Sequence, residues 1–148
     1  HVKPHGAMYN QAVNDDRLAT AICEAVLEVD ETTILLALSG SKWISIAESL
    51  GMRVAKEVFA DRAMNNDGTL VSRSHDGSVL HDIDLVVERS VRMVTEGKVE
   101  TITGDTIEVE ADSICLHGDT PGAVKMAEAM GQVFKENDIE VSSLEEMF

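Results

Sequence analysis

Titratable side chains lie in or directly after three segments that are expected to be strands. They form three pairs, each separated by an even number of positions: Lys3 and His5, Glu57 and Asp61, and His117 and Asp119. Because strand side chains alternate between two faces, the members of a pair can share one face. Parallel α/β proteins bind ligands at the carboxyl ends of their strands, so the pattern predicts an active site there.

The carboxylates and imidazoles among these residues are suited to proton transfer. We consider Asp61, Glu57 and Asp119 candidate general bases, since a carboxylate beside a substrate can accept a proton. His5 and His117 are candidate proton carriers because imidazole titrates near neutral pH. The sequence alone does not decide which carboxylate acts as the base.

Three cationic side chains could bind anions at the same site. Lys3 and Arg62 could stabilise a substrate carboxylate or an oxyanion that develops during a reaction. Arg73 offers a planar guanidinium that can hold a carboxylate or phosphate through two hydrogen bonds. The three are therefore candidate substrate-binding residues.

Structural roles are alternatives for several of these residues. His5 precedes a glycine and could only satisfy the N-terminus of a helix. Asp119 lies shortly before a proline and could cap the last helix, because an acceptor followed by proline is common at helix starts. Asp61 and Arg62 could form an internal ion pair that shapes the following loop.

Length and composition limit the classes of protein to consider. The 148 residues are enough for a single domain over 1–148, and 44% of them are hydrophobic. The net charge of -15 disfavours nucleic acid and anionic membranes as partners. No apolar stretch approaches the roughly 18 residues of a membrane span. Cys23 and Cys115 lie inside separate apolar runs, which favours buried thiols and a reducing, cytoplasmic setting.

Alternating periodicities predict an α/β fold with a parallel sheet. The run 33–38 is continuously apolar, as expected for a strand buried on both faces, and 113–116 is predicted to be another buried strand. The predicted strands are 33–38, 52–60, 113–116 and 139–141, with a hairpin formed by 99–102 and 107–109. Helical spacing of apolar residues is found over 18–29, 43–50, 83–94 and 123–134. The polar segment 61–82 is predicted to be a long loop that borders the site, and 145–148 a tail.

Four motifs, in order along the whole chain, closely resemble the LamB/YcsF family. They are residues 1–10 (HVKPHGAMYN), 57–62 (EVFADR), 68–73 (GTLVSR) and 114–121 (ICLHGDTP). The resemblance implies an irregular (β/α) barrel of the TIM-like type, related to carbohydrate deacetylases. Members of the family are longer than this chain. We therefore expect the chain to be the carboxyl-terminal portion of such a barrel, with the amino-terminal part missing.

The resemblance also implies an activity, since family members form the A subunit of the prokaryotic ATP-dependent 5-oxoprolinase. That enzyme opens the lactam of 5-oxo-L-proline to give L-glutamate, together with subunits B and C. Residues 38–42 (LSGSK) lack the spacing of a P-loop, so we expect ATP to be bound mainly with or by the partner subunits.

Two other classes of function remain open. His5, His117 and the carboxylates could bind a divalent ion, as in a metal-dependent hydrolase or deacetylase of a small amide or carbohydrate. The chain has no compact motif such as His-x-x-x-His, so its ligands would have to come from several strands. The second class is a non-catalytic subunit that binds an intermediate made elsewhere. An opened barrel would expose sheet edges, which also makes a homo-oligomer a candidate assembly.

Overall fold

The structure, a computed structural model, describes residues 1–148. Six helices and five strands follow one another in the order α1 (Ala7–Ala12), α2 (Asp16–Val29), β1 (Ile34–Leu38), α3 (Lys42–Ser49), β2 (Arg53–Phe59), α4 (Ile83–Thr95), β3 (Lys98–Glu100), β4 (Thr106–Glu108), β5 (Ser113–Cys115), α5 (Ala123–Glu136) and α6 (Leu144–Met147). The mixed α/β class is confirmed. None of the helices is long and apolar enough to cross a membrane.

A three-stranded parallel sheet in the order β1-β2-β5 forms the centre of the fold. Ile34 pairs with Arg53, and Glu57 pairs with Ser113. Val2 adds an isolated parallel bridge to Leu35 on the other side of β1. Four chain segments therefore run in the same direction, and their carboxyl ends lie at one edge of the sheet.

Strand β1 is buried as predicted, whereas β5 is not. All five residues of β1 are buried, which confirms the prediction from its continuous apolar run. The expected burial of the strand at 113–116 was wrong, since all three residues of β5 are only partly buried. The reason is topological: β5 lies at the edge of the sheet and pairs on one side only.

Two apolar clusters hold the helices against the sheet. The larger cluster includes Trp43 from α3 and Cys23 from α2, both fully buried. In the smaller cluster, Val86 of α4 and Met126 of α5 pack against Ala60 at the end of β2. These helices therefore fix the end of β2, where the candidate site begins.

The helix starts follow local capping chemistry. Asp15 caps α2 by accepting hydrogen bonds from the backbone amides of Arg17 and Leu18. Asp82 caps α4 in the same way, through the amide of Leu85. A short acceptor side chain stabilises a helix by satisfying amides that have no partner within the helix.

The remaining predicted elements had different outcomes. The antiparallel hairpin of β3 and β4 is confirmed, and 61–82 forms a long irregular loop. The predicted strand at 139–141 was wrong: the amide of Ile139 bonds to the carbonyl of Phe134 and ends α5, and Val141 is 75% exposed. The predicted tail contains the short helix α6, which begins with a capping box of Ser143 and Glu146. Helix α1 was not predicted.

Candidate active site

A buried carboxylate lies at the centre of the site, two residues after the end of β2. Asp61 is 0% exposed. Its oxygens accept hydrogen bonds from Thr120 Oγ1 at 2.5 Å, from His117 Nδ1 at 2.9 Å and from the backbone amide of His117 at 3.4 Å. A carboxylate removed from water requires such donors to remain ionised. The chain that follows β5 supplies all of them.

The imidazole of His117 is held on two sides. Its Nδ1 is bonded to Asp61, and its ring stacks on that of Phe59, with 5.7 Å between the centroids and 22° between the planes. The second ring nitrogen, Nε2, has no hydrogen-bond partner within the protein, and the side chain is 24% exposed. An imidazole that is oriented by a carboxylate and free at its other nitrogen is suited to general acid–base work.

A second carboxylate, Glu57, is neutralised by a lysine from the start of the chain. Lys3 Nζ donates to Glu57 Oε1 at 2.7 Å and also lies 5.0 Å from the ring centroid of Phe59. Burial by itself lowers the pKa of Lys3, but the hydrogen bond and charge of Glu57 outweigh it, so the pKa is raised. Glu57 Oε2 and the hydroxyl of Tyr9 are buried without a hydrogen-bond partner.

An open cleft of about 680 Å³ lies above these residues. Lys3, His5, Tyr9 and His117 line it, whereas Glu57 and Asp61 lie behind its wall. A molecule in the cleft would therefore contact Lys3 and His117 rather than the two carboxylates. The sequence placed Glu57 and Asp61 among the candidate bases but did not show that Lys3 and His117 would cover them.

Arg62 is buried and holds the long loop in place. Its Nε donates to the carbonyl of Ser78 at 3.2 Å, and its Nη2 donates to the carbonyl of Val71 at 2.5 Å. The alternative of an ion pair with Asp61 was wrong, because the donors to Asp61 all come from the segment after β5. Burial lowers the pKa of Arg62, as does the nearby charge of Arg73.

Arg62 nevertheless reaches the cleft. It lines the main cleft and an adjoining cavity of about 440 Å³, and Arg73 lines both as well. Neither hydrogen bond of the Arg62 guanidinium uses Nη1, so this nitrogen remains for a ligand. Two guanidinium groups at one junction form a region that favours an anion.

Asp119 pairs with Arg73 at the rim of the cleft. Arg73 Nη1 and Asp119 Oδ2 are 3.3 Å apart, and the side chains are 51% and 71% exposed. The hydrogen bond from Arg73 lowers the pKa of Asp119. The alternative that Asp119 caps the last helix was wrong, since Gly122 is the N-cap of α5 and Asp119 makes no capping bond.

His5 lies on the cleft wall but takes no part in the buried networks. Its side chain is exposed and makes no hydrogen bond within the protein. The alternative of a helix cap was wrong too, because α1 has Gly6 at its N-cap and no side-chain capping bond. The position of His5 leaves both imidazole nitrogens available to a bound molecule.

The described residues do not form a metal-binding site. No group of three or more His, Cys, Asp or Glu side chains is arranged to hold an ion. Asp61 and His117 are instead bonded to each other, and Glu57 is paired with Lys3. The residues present therefore do not fit the ligand set of a metal-dependent hydrolase.

Four residues that shape the site were not predicted from the sequence. Thr120 donates to Asp61, Tyr9 and Cys115 line the cleft, and Arg89 of α4 binds the carbonyls around the end of β2. Thr120 lies within one of the family-like motifs, which was a usable signal. Arg89 lies on a helix whose apolar spacing gave no reason to expect a buried charge.

Comparison with known proteins shows the family to which this sequence belongs. The sequence model of the LamB/YcsF family matches residues 1–148. The chain belongs to the LamB/YcsF family. The A subunit of a 5-oxoprolinase from Alkaliphilus metalliredigens (strain QYMF) is 50% identical over 145 residues, which cover 98% of this chain and 57% of that protein. The corresponding protein from Thermococcus onnurineus (strain NA1) is 50% identical over 141 residues, covering 95% and 55%.

A solved structure of a related protein has the same fold. The crystal structure of a lactam utilization protein from Thermus thermophilus superposes with a TM-score of 0.88 at 38% identity, covering 97% of this chain and 57% of that one. The chain thus spans a little over half the length of the relatives it matches. What these LamB/YcsF proteins do as complete molecules comes to this chain only as a proposal.

Proposed function

We propose that this chain is the carboxyl-terminal portion of the A subunit of a 5-oxoprolinase. The complete protein would open 5-oxo-L-proline to L-glutamate, coupled to ATP hydrolysis and in complex with subunits B and C. The names of the relatives support the reaction, since the relatives matched at 50% identity are A subunits of 5-oxoprolinase. The observation that carries the proposal is the Asp61–His117 pair beside an open cleft.

The chemistry of a lactam explains why such a pair is required. The ring amide resists water, and phosphorylation of its oxygen by ATP makes the ring carbon electrophilic. Water then adds to that carbon, and the ring C–N bond breaks as the nitrogen takes up a proton. A second water hydrolyses the resulting acyl phosphate to L-glutamate and inorganic phosphate. His117 Nε2 is placed to accept the proton of the first water and to return it to the nitrogen. Asp61 holds the imidazole and stabilises its protonated form.

Cations around the cleft would bind the charged parts of the substrate. Arg62 Nη1 and Arg73 lie at the junction of two cavities, where they would hold the substrate carboxylate or the phosphoryl group. Lys3 would face the oxygen that develops negative charge. His5, exposed on the cleft wall, is a second candidate proton carrier. Glu57 and Asp119 have weaker cases as bases, because each is already paired with a cation.

The architecture of the complete protein is part of the same proposal. The parallel sheet would continue into an irregular (β/α) barrel of the carbohydrate-deacetylase-related type, with residues 1–148 as the carboxyl-terminal portion of one domain. The unpaired side of β5 supports this, because a barrel has no free edge. The naming of the relatives as A subunits supports an assembly with other subunits, and a reaction on a small metabolite fits the cytoplasm.

The test is glutamate release from 5-oxo-L-proline and ATP by the complete protein, with and without subunits B and C. Activity in the full mixture that is lost in Asp61→Asn and kept in Asp76→Asn would support the proposal. Asp76 lies exposed in the loop after β2, so its variant repeats the chemical change away from the site. Absence of activity with partners of proven competence would overturn it, and metal analysis would then test the metal-dependent hydrolase.

A further inference from the structure

Arg89 is a buried cation with no carboxylate partner. It lies on α4 and is 8% exposed, yet no Asp or Glu side chain forms an ion pair with it. Its Nη2 has no hydrogen-bond partner. Burial lowers the pKa of Arg89 to about 10, partly offset by the charges of Asp61 and Glu100. A buried charge of this kind is unfavourable for folding, so packing alone would favour an apolar residue here.

The contacts that Arg89 does make surround Asp61. Its Nη1 lies 2.8 Å from the carbonyl oxygen of Arg62, 3.2 Å from that of Ala60 and 3.5 Å from that of Phe59. These are residues on both sides of Asp61 in the chain. One guanidinium nitrogen therefore holds the turn that follows β2, and this turn sets the direction of the Asp61 side chain.

The charges around Asp61 show what Arg89 adds to that geometry. His117 and Cys115 lie near Asp61 on the β5 segment, Arg62 adjoins it in the chain, and Arg89 lies near it on α4. Arg62 is directed towards Ser78 and Val71 by its own hydrogen bonds. Arg89 is thus the nearby cation whose hydrogen bonds hold the backbone on both sides of Asp61.

We propose that Arg89 is a positioning residue for the reaction: its hydrogen bonds to the carbonyls around Asp61 aim that carboxylate at His117. The kinetic part of this inference rests on the proposed function, whereas the geometric part does not. The role does not require Arg89 to touch the substrate, and Arg89 does not line the main cleft.

Three variants of the complete protein separate charge from geometry. Arg89→Lys keeps the positive charge and loses the planar fork, while Arg89→Met loses both and keeps a similar length. Arg92→Met is the matched control, because Arg92 lies one turn further along α4 and pairs with Glu96 at the surface. We would measure kcat and KM for each in the presence of the partner subunits, and urea unfolding of each protein alone.

We expect kcat to fall about 10²-fold in both Arg89 variants with KM unchanged, since a misaimed catalytic group affects the chemical step. Arg92→Met should match the parent. A role in folding alone would lower the free energy of unfolding and leave kcat per folded molecule unchanged, and that result would overturn the proposal.

A measurement without turnover tests the geometry independently. The Nδ1–H proton of His117, bonded to Asp61, can be observed by NMR in protein labelled at histidine. We expect its signal to shift or disappear in Arg89→Lys and Arg89→Met and to persist in Arg92→Met. An unchanged signal in Arg89→Lys would overturn the proposal even if Arg89→Met does not fold. A changed signal in a protein that never releases glutamate would support the positioning role and refute the proposed reaction.

Discussion

Asp61 and His117 join the carboxyl ends of two neighbouring parallel strands through a hydrogen bond of 2.9 Å between Oδ1 and Nδ1. Asp61 follows β2, and His117 follows β5. The backbone amide of His117 also donates to Asp61, and the ring of Phe59 stacks on that of His117. His117 Nε2 has no hydrogen-bond partner within the protein. This arrangement gives the cleft an oriented imidazole with one free nitrogen.

Asp61→Asn should reduce glutamate release at least ~10²-fold, because the imidazole loses the group that orients it and stabilises its charge. The structure adds a consequence for stability. An amide NH₂ would face donors from His117 and Thr120, so we expect the free energy of unfolding to fall by about 1–3 kcal/mol. Kinetics together with urea unfolding of the complete protein would measure both effects. Parental activity would refute the assignment of Asp61.

His117→Gln should lower kcat by about 10²–10⁴-fold, because it removes the imidazole that transfers the proton. His81→Gln is the control, since His81 lies exposed in the loop before α4. The check is steady-state glutamate release by both variants. Parental kcat in His117→Gln would move the role of proton carrier to His5.

Lys3→Met should destabilise the protein by about 3 kcal/mol, because it leaves the charge of Glu57 buried and unpaired. The double variant Lys3→Met/Glu57→Gln should recover most of that loss. Since the pKa of Lys3 is raised above 10.5 in the folded protein, the stabilisation is complete below that pH and is lost as the pH rises through the folded-state pKa. Urea unfolding at neutral and alkaline pH would test this. Equal stability of parent and single variant at neutral pH would contradict it.

Arg73→Gln should raise KM for 5-oxo-L-proline about tenfold and leave kcat unchanged, because it removes one charge-assisted contact to an anion. Its stability should change by less than about 1 kcal/mol, since the pair with Asp119 is exposed. Asp119→Asn should preserve kcat. Steady-state kinetics decides the matter: if Asp119→Asn loses kcat as Asp61→Asn does, Asp119 is the base.

Cys115 should react slowly with iodoacetamide at neutral pH. Burial raises the pKa of its thiol, so little reactive thiolate forms there. Because Cys115 lines the cleft, 5-oxo-L-proline should slow its labelling further. Mass spectrometry of the labelled protein would measure both rates, with the fully buried Cys23 as the internal reference. Labelling that is unaffected by the ligand would place the substrate outside this cleft.

Local sequence pattern was sufficient for most of the fold. A continuous apolar run produced β1, and apolar residues at helical spacing produced α2, α4 and α5, because burial of one face is decided within a few residues. The prediction failed at 139–141, where the alternating segment Ile-Glu-Val has no strand beside it to pair with. Alternation alone does not make a strand without a neighbour.

The sequence by itself determined the family and the set of titratable residues that converge on one edge of the sheet. Only the tertiary structure decided their partners. Asp61 meets His117 and Thr120 across 56 and 59 residues, and Lys3 reaches Glu57 across 54. Such pairs depend on strand register and helix packing, which no local periodicity encodes. The same reason applies to Arg89. The apolar spacing of α4 predicted its buried face but not that Arg89 would bind the backbone after β2.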